Sequence, residues 1–194
     1  MRYVAAACIL LLTLFSCGDP DNGSATTSIG KDTADTAPHQ DLPIVTPDAN
    51  GVTTVNTGQT TPAELLAYAN TLKGVPYKYG STDPKEGFDC SGFITYVFNH
   101  FGISVPRTSS DFTPVKQEID IKDAQAGDLI LFTGTDSTIR VVGHMGIITT
   151  LPGEDVKFIH STSGKQDGVT ETPLNAYYIG RYVKTIRVFP QNQR

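Results

Sequence analysis

Cys90 is the residue most clearly placed to do chemistry, because it stands alone. The chain has three cysteines, and the other two, Cys8 and Cys17, lie near its N-terminus. Cys90 sits in Gly87-Phe88-Asp89-Cys90-Ser91-Gly92-Phe93-Ile94, where a glycine-rich stretch meets a helical apolar repeat. Two histidines follow in strand-like surroundings, His144 in Val142-Gly143-His144-Met145-Gly146-Ile147-Ile148 and His160 at the end of Val156 to His160. An unpaired thiol with downstream histidines in an exported chain reads as a nucleophile. A thiol attacks as thiolate, and a helix N-terminus favours that form through its dipole and free N–H groups. His144 is then the base. In a strand it shares a face with Val142, Gly146 and Ile148, and a polar ring among apolar neighbours needs a partner. If the two histidine strands are neighbours, His160 supplies that partner and fixes the imidazole, completing the logic of nucleophile, base and orienter. Cys90, His144 and His160 lack the close ligand spacing of a zinc set. No metal and no other cofactor is expected.

These groups need elements to hold them. Thr61-Pro62-Ala63-Glu64 predicts a helix start, with Thr61 as cap, Pro62 at the first helical position and Glu64 closing a capping box. Leu65, Leu66, Ala69 and Leu72 form its stripe, and Gly74 ends it. A loop over residues 75–88 leads to Asp89, a cap for the next helix. Phe93, Ile94, Val97, Phe98 and Phe101 give that helix one buried face, Cys90 lies on the same face, and Gly102 stops it. Strands are predicted at Leu129 to Phe132, Val141 to Thr149, Val156 to His160 and Arg181 to Val188. Helices first and strands after predict an α+β domain, with an antiparallel sheet packed on the cysteine helix. Arg107 is read as a structural ion-pair partner, His100 as structural, Asp128 as turn chemistry, and Tyr177 and Tyr178 as packing residues.

The chain of 194 residues divides by composition. Residues 1–16 form a targeting segment: Arg2 supplies the positive charge, and the apolar run from Tyr3 to Phe15 is too short to span a bilayer. Leu14-Phe15-Ser16-Cys17 resembles a bacterial lipobox, in which Cys17 is lipidated and becomes the new N-terminus. Acyl chains there would hold the protein on a membrane surface. Residues 17–60 read as a tether, because after Cys17 they contain no aromatic residue and carry six Asp against one Lys. Such a segment cannot bury enough apolar surface to fold alone. Residues 61–194 form the folded domain, with 13 Lys and Arg against 14 Asp and Glu. That balance excludes the basic footprint of a nucleic-acid-binding protein.

The motifs carry a further resemblance. Tyr77-Lys78-Tyr79-Gly80, the Asp89-Cys90-Ser91-Gly92 phrase, Val105-Pro106-Arg107-Thr108, Ala126-Gly127-Asp128-Leu129, Gly143-His144-Met145-Gly146-Ile147 and Phe158-Ile159-His160-Ser161 occur in the order seen in the NlpC-type cysteine peptidases of bacterial cell walls. Roughly residues 62–188 resemble that family. The resemblance implies a papain-like fold, with Cys90 as nucleophile, His144 as base and His160 as third member. It implies Tyr77, with Tyr79 as the alternative, as the hydroxyl that positions the reacting carbonyl. It implies Asp89 and Ser91 as residues that grip the free amine of a wall peptide. The implied substrates are peptidoglycan stem peptides or muropeptides, cut at the γ-D-glutamyl–diamino-acid bond. The chain departs from the family pattern at Ser81, which replaces a second glycine, and at Ile148, where a tyrosine is common. The expected protein is a monomeric, lipid-anchored peptidase of the cell envelope, on a bacterial membrane and by expectation the outer one. Two alternatives stand beside it: a lipoprotein that binds wall peptides without cutting them, and an amidase or acyl transferase using the same thiol.

Overall fold

Thr61 opens the first helix as its sequence implies. The Thr61 hydroxyl accepts from the Glu64 amide at 3.3 Å, and the Glu64 carboxylate accepts from the Thr61 amide at 2.9 Å. With Pro62 at the first position, this capping box starts helix α1, Pro62–Thr71. The chain here is a computed structural model, which describes residues 54–193. The targeting segment, Cys17 and the tether through residue 53 lie outside the described residues. Among the described residues, no helix is long and apolar enough to cross a membrane. The packed region starts upstream of the boundary expected at residue 61. Val55 and Thr57 are buried, and Val55 belongs to the main core. One apolar side chain in a polar segment is enough to join those residues to the domain.

Between α1 and the next helix lies a short hairpin, β1 (Thr82–Asp83) and β2 (Gly87–Phe88). Helix α2, Cys90–His100, follows with Asp89 as its cap, and buries Phe93, Ile94, Val97 and Phe98. Gly102, with φ of 69°, provides the left-handed stop just past the helix. The rest is sheet: β3 (Glu118–Ile119), β4 (Leu129–Thr133), β5 (Val142–Ile148), β6 (Lys157–Thr162), β7 (Gly168–Pro173) and β8 (Tyr182–Ile186). The order is β3-β8-β4-β5-β6-β7, and every pairing is antiparallel. The expected α+β class with an antiparallel sheet on the cysteine helix is what the chain forms.

Both faces of the sheet are covered. Leu129, Leu131, Met145, Ile147 and Ile159 pack in one cluster with the apolar sides of α1 and α2. The alternate residues Ile130, Phe132, Ile148 and Phe158 pack in a second cluster with Tyr178 of helix α3 (Ala176–Arg181). Period-two alternation therefore puts hydrocarbon on both sides, and the strands read as continuous apolar runs. Strand β7 was not expected from the sequence. It is the edge strand beside β6, its start also bridged to Pro76, and its residues Thr170, Glu171 and Thr172 lack an apolar pattern. Its pairing through Thr162↔Gly168 also extends β6 beyond His160, which was expected at the strand's end. Asp128 does more than turn: fully buried, it accepts from Arg187 Nε at 3.2 Å and Nη2 at 3.0 Å, joining the turn before β4 to the residue after β8.

Candidate active site

The first residue of α2 is Cys90, so the sulfur stands beside amides that have no helical acceptor. Asp89 sets that start, since its carboxylate accepts from the Gly92 amide. Gly92 is required by close approach: a Cβ there would lie 2.1 Å from the Ser81 carbonyl oxygen. The end of α2 is thereby pressed against the preceding loop. The Cys90 thiol is half-buried and donates weakly to the Gly143 carbonyl, at 3.9 Å. The Met145 amide also reaches the sulfur. The thiol thus meets the backbone on both sides of His144.

His144 and His160 sit on the second face of the sheet, under Tyr178. His144 pairs across the sheet with Phe132, and β5 pairs with β6 through Ile147↔Ile159 and Ile148↔Phe158. His144 Nε2 and His160 Nδ1 are 2.8 Å apart. On its far side, His160 Nε2 lies 2.9 Å from Thr172 Oγ1. Gly146 permits this approach: a Cβ there would fall 2.7 Å from a Phe158 ring carbon and 3.2 Å from His160 Cβ. The Tyr178 ring centroid lies 6.2 Å from that of His144 and 5.5 Å from that of His160. Tyr178 is therefore a packing residue, as expected, and it shields the two imidazoles from water.

That shielding decides the protonation states. Burial pushes His144 well below the ordinary histidine value, and the charges on His160 and Arg181 add to the effect. Burial, then Arg181, lowers His160 to about 3. Burial pushes the Cys90 thiol up, and Asp89 adds to this; the amides of Ser91, Cys90 and Met145 offset only part of it. The helix start alone suggested a lowered thiol, so this reverses the expectation: desolvation outweighs the N–H groups. Both shifts favour a neutral thiol beside a neutral imidazole at rest.

The hydrogen bonds admit two tautomer pairs, because the Thr172 hydroxyl can accept from His160 Nε2–H or donate to Nε2. The pair that leaves His144 able to take a proton is the one in which Thr172 accepts and His160 Nδ1 is an acceptor. His144 then donates from Nε2, and its Nδ1 keeps a free lone pair for a proton. Thr172 was missed by the sequence reading because nothing apolar marked β7.

A cavity of about 600 Å³ opens over these groups, lined among others by Tyr77, Cys90, Gly143, His144 and Arg181. Tyr77 is thus in the cavity, whereas the alternative Tyr79 is 87% exposed and outside its lining. Burial raises the Tyr77 phenol, with smaller contributions from Cys90 and Asp89. Asp89 and Ser91, expected to grip a substrate amine, flank Cys90. Both are buried and absent from the lining, and their side chains bond one another at 3.2 Å. Arg107 donates to Asp89 at 2.8 and 3.2 Å and to Ser91 at 3.1 Å, the structural pairing expected of it. Burial pushes the Asp89 carboxyl up, but bonds from Arg107 and the Gly92 amide outweigh it and hold it below the ordinary value. His100 stacks on Tyr68, 3.6 Å between centroids, far along α2 from the thiol. Among the described residues, no group of three or more His, Cys, Asp or Glu is arranged to hold a metal ion.

Comparison with known proteins agrees with this geometry. The chain is 33% identical over 124 residues to the gamma-DL-glutamyl hydrolase of Bacillus subtilis (strain 168), covering 64% of this chain and 29% of that protein. It is 40% identical over 124 residues to the probable peptidoglycan endopeptidase LytE of the same organism, covering 62% and 33%. The chain therefore spans a third or less of the length of these relatives. A solved NlpC/P60 family protein from Bacillus cereus superposes with a TM-score of 0.59 at 30% identity, covering 69% of this chain and 42% of that one. The sequence pattern of the NlpC/P60 family matches residues 74–188, which hold Tyr77, Cys90 and both histidines, and the chain belongs to that family.

Proposed function

We propose that the protein is a cysteine peptidase that hydrolyses peptidoglycan stem peptides, cutting the γ-D-glutamyl–diamino-acid bond through a thioester. What supports this reading is that the Cys90 thiol meets the backbone beside His144, that His144 Nε2 and His160 Nδ1 are 2.8 Å apart, and that Cys90 and His144 line one open cavity. The names of the two Bacillus relatives support the substrate class.

As the Cys90 sulfur bonds to the scissile carbonyl carbon, its proton passes to His144 Nδ1. The new imidazolium keeps its Nε2–H on His160 Nδ1, and His160 keeps its own N–H on Thr172. Charge therefore forms only as the bond forms, which suits a pair that burial keeps neutral at rest. The Cys90 amide and the Tyr77 hydroxyl face the developing oxyanion. His144 returns the proton to the leaving amine, whose C–N bond breaks to leave the thioester. Water then attacks, His144 takes its proton, and the acid departs as the thiol re-forms. Cys17, ahead of the domain, is the proposed site of lipidation, holding a monomeric enzyme to a membrane of the cell envelope.

Cys90→Ala tests the reading. Digestion of defined muropeptides, followed by mass spectrometry, should give γ-D-glutamyl products with the wild-type chain and none with the variant, at unchanged thermal stability. Cleavage by the variant would remove the thiol from the mechanism.

A further inference from the structure

The Phe88 peptide joins three segments, each of which carries a group of the candidate site. Its N–H donates to the Pro76 carbonyl at 3.0 Å, and its carbonyl accepts from the Lys78 amide at 3.0 Å, so Tyr77 is bridged in parallel to Phe88. Cys90 follows two residues later, at the start of α2. The third partner is a side chain. The Ser161 hydroxyl donates to the same Phe88 carbonyl at 2.7 Å, across 73 positions of sequence. Ser161 is the neighbour of His160 on β6. Alternation puts the two on opposite faces of the sheet: His160 lies against Tyr178, and Ser161, like Ile159, faces the helices. One strand therefore holds the imidazole on one face and, a residue later, grips the cysteine segment from the other.

The core does not require that grip. Phe88 and Ser161 are both fully buried, and the Phe88 carbonyl already has the Lys78 amide as partner. A buried hydroxyl loses its water, and its hydrogen bond does little more than offset the loss, so alanine would serve the packing nearly as well. What the hydroxyl adds is direction. Apolar packing of α2 on the sheet tolerates small slides, whereas a hydrogen bond of 2.7 Å fixes the Phe88 peptide along β6. The thiol's own bond to the sheet, at 3.9 Å to the Gly143 carbonyl, is too weak to set that register.

We propose that Ser161 is a positioning residue: it locks the Tyr77 and Cys90 segments, as one unit, in register with the histidine strand, so that thiol and imidazole meet. The chemistry it serves is that of the peptidase reading above, on which the proposal rests. Transfer of the thiol proton depends steeply on that meeting, and a displacement of about 1 Å can cost roughly 100-fold in rate.

The test reads the thiol directly as well as turnover. The full chain is treated with iodoacetamide at neutral pH, and alkylation is followed by mass spectrometry on the peptide that carries Cys90. In this step the sulfur displaces iodide, and its proton passes to His144 or, in His144→Ala, to water. Ser161→Ala should slow alkylation about fivefold when His144 is present and leave it unchanged in the His144→Ala background, because a residue that acts through a partner has no effect once the partner is gone. On a defined muropeptide the same variant should show kcat roughly tenfold lower at unchanged KM, with thermal stability close to that of the wild type. Equal slowing in both backgrounds, or slowing in neither, would overturn the proposal. Should the alanine variant fail to fold, amide exchange in the wild type decides: the Phe88 and Lys78 amides should exchange as slowly as those of β5, and fast exchange would overturn the proposal, since a seat that opens cannot fix a register. A wild-type chain that cleaves no muropeptide would refute the peptidase reading itself, while the alkylation rates still judge Ser161.

Discussion

Thr172→Val removes one hydroxyl and little volume, and it interrogates the histidine line at its far end. In the wild type, Thr172 Oγ1 lies 2.9 Å from His160 Nε2 and can accept from its N–H. With Thr172 as acceptor, His160 has a free Nδ1, which accepts from His144 Nε2–H at 2.8 Å. That arrangement leaves His144 Nδ1 able to take the thiol proton. With valine, the opposite pair of tautomers competes, and in it His144 Nδ1 already bears a hydrogen. An unsatisfied buried donor costs about 1–3 kcal/mol. His160 has no exposure, but Thr172 is only half-buried and lines the cavity, so water can replace part of the lost bond. The cost then falls near the lower end, about 1 kcal/mol, which is roughly fivefold in rate. Steady-state kinetics on a defined muropeptide should show kcat lowered by about that factor at unchanged KM, and Thr172→Ser should restore it. Wild-type kcat in the valine variant, or a serine variant as slow as valine, would refute the tautomer argument.

Other consequences follow from the same contacts. His160 titrates near 3 when folded and near 6.5 in an unfolded chain, so between those values the unfolded state binds a proton that the folded state does not. Stability should therefore fall as pH falls, by about 2 kcal/mol between pH 6.5 and 5 for this ring alone, with His144 acting in the same direction. Urea titrations at pH 7 and pH 5 that give equal stability would contradict this. Gly146→Ala places a methyl 2.7 Å from the Phe158 ring and 3.2 Å from His160 Cβ. Calorimetry should show a loss of about 1–3 kcal/mol, and activity should fall as His160 is displaced. Asp89→Asn keeps an acceptor for the α2 cap but removes the charge facing Arg107, whereas Asp89→Ala removes both. Alanine should therefore be less stable than asparagine by about 1 kcal/mol in denaturant titration, and equal losses would deny the cap its role.

Much of the scaffold was legible in the sequence because it rests on local rules. The Thr61 capping box, the Asp89 cap, the stops near Gly74 and Gly102 and the apolar strands all express contacts within a few residues or a simple period. The candidate chemistry was legible for the same reason: a lone thiol at a helix start and two histidines in apolar strands are anomalies visible in one dimension. What the sequence could not supply were facts created by distant segments meeting. Strand β7 exists because β6 offers it an edge, so Thr172 became the acceptor behind His160 without any pattern in its own residues. Tyr178 crosses from α3 to seal both imidazoles, and this desolvation reverses the thiol acidity that the helix start implied. Asp89 turned to Arg107, and Arg181 took backbone carbonyls and the Tyr177 hydroxyl at the cavity wall. Propensity and periodicity are properties of neighbours along the chain, whereas burial, tautomer and pairing of charge belong to whatever the completed fold places alongside.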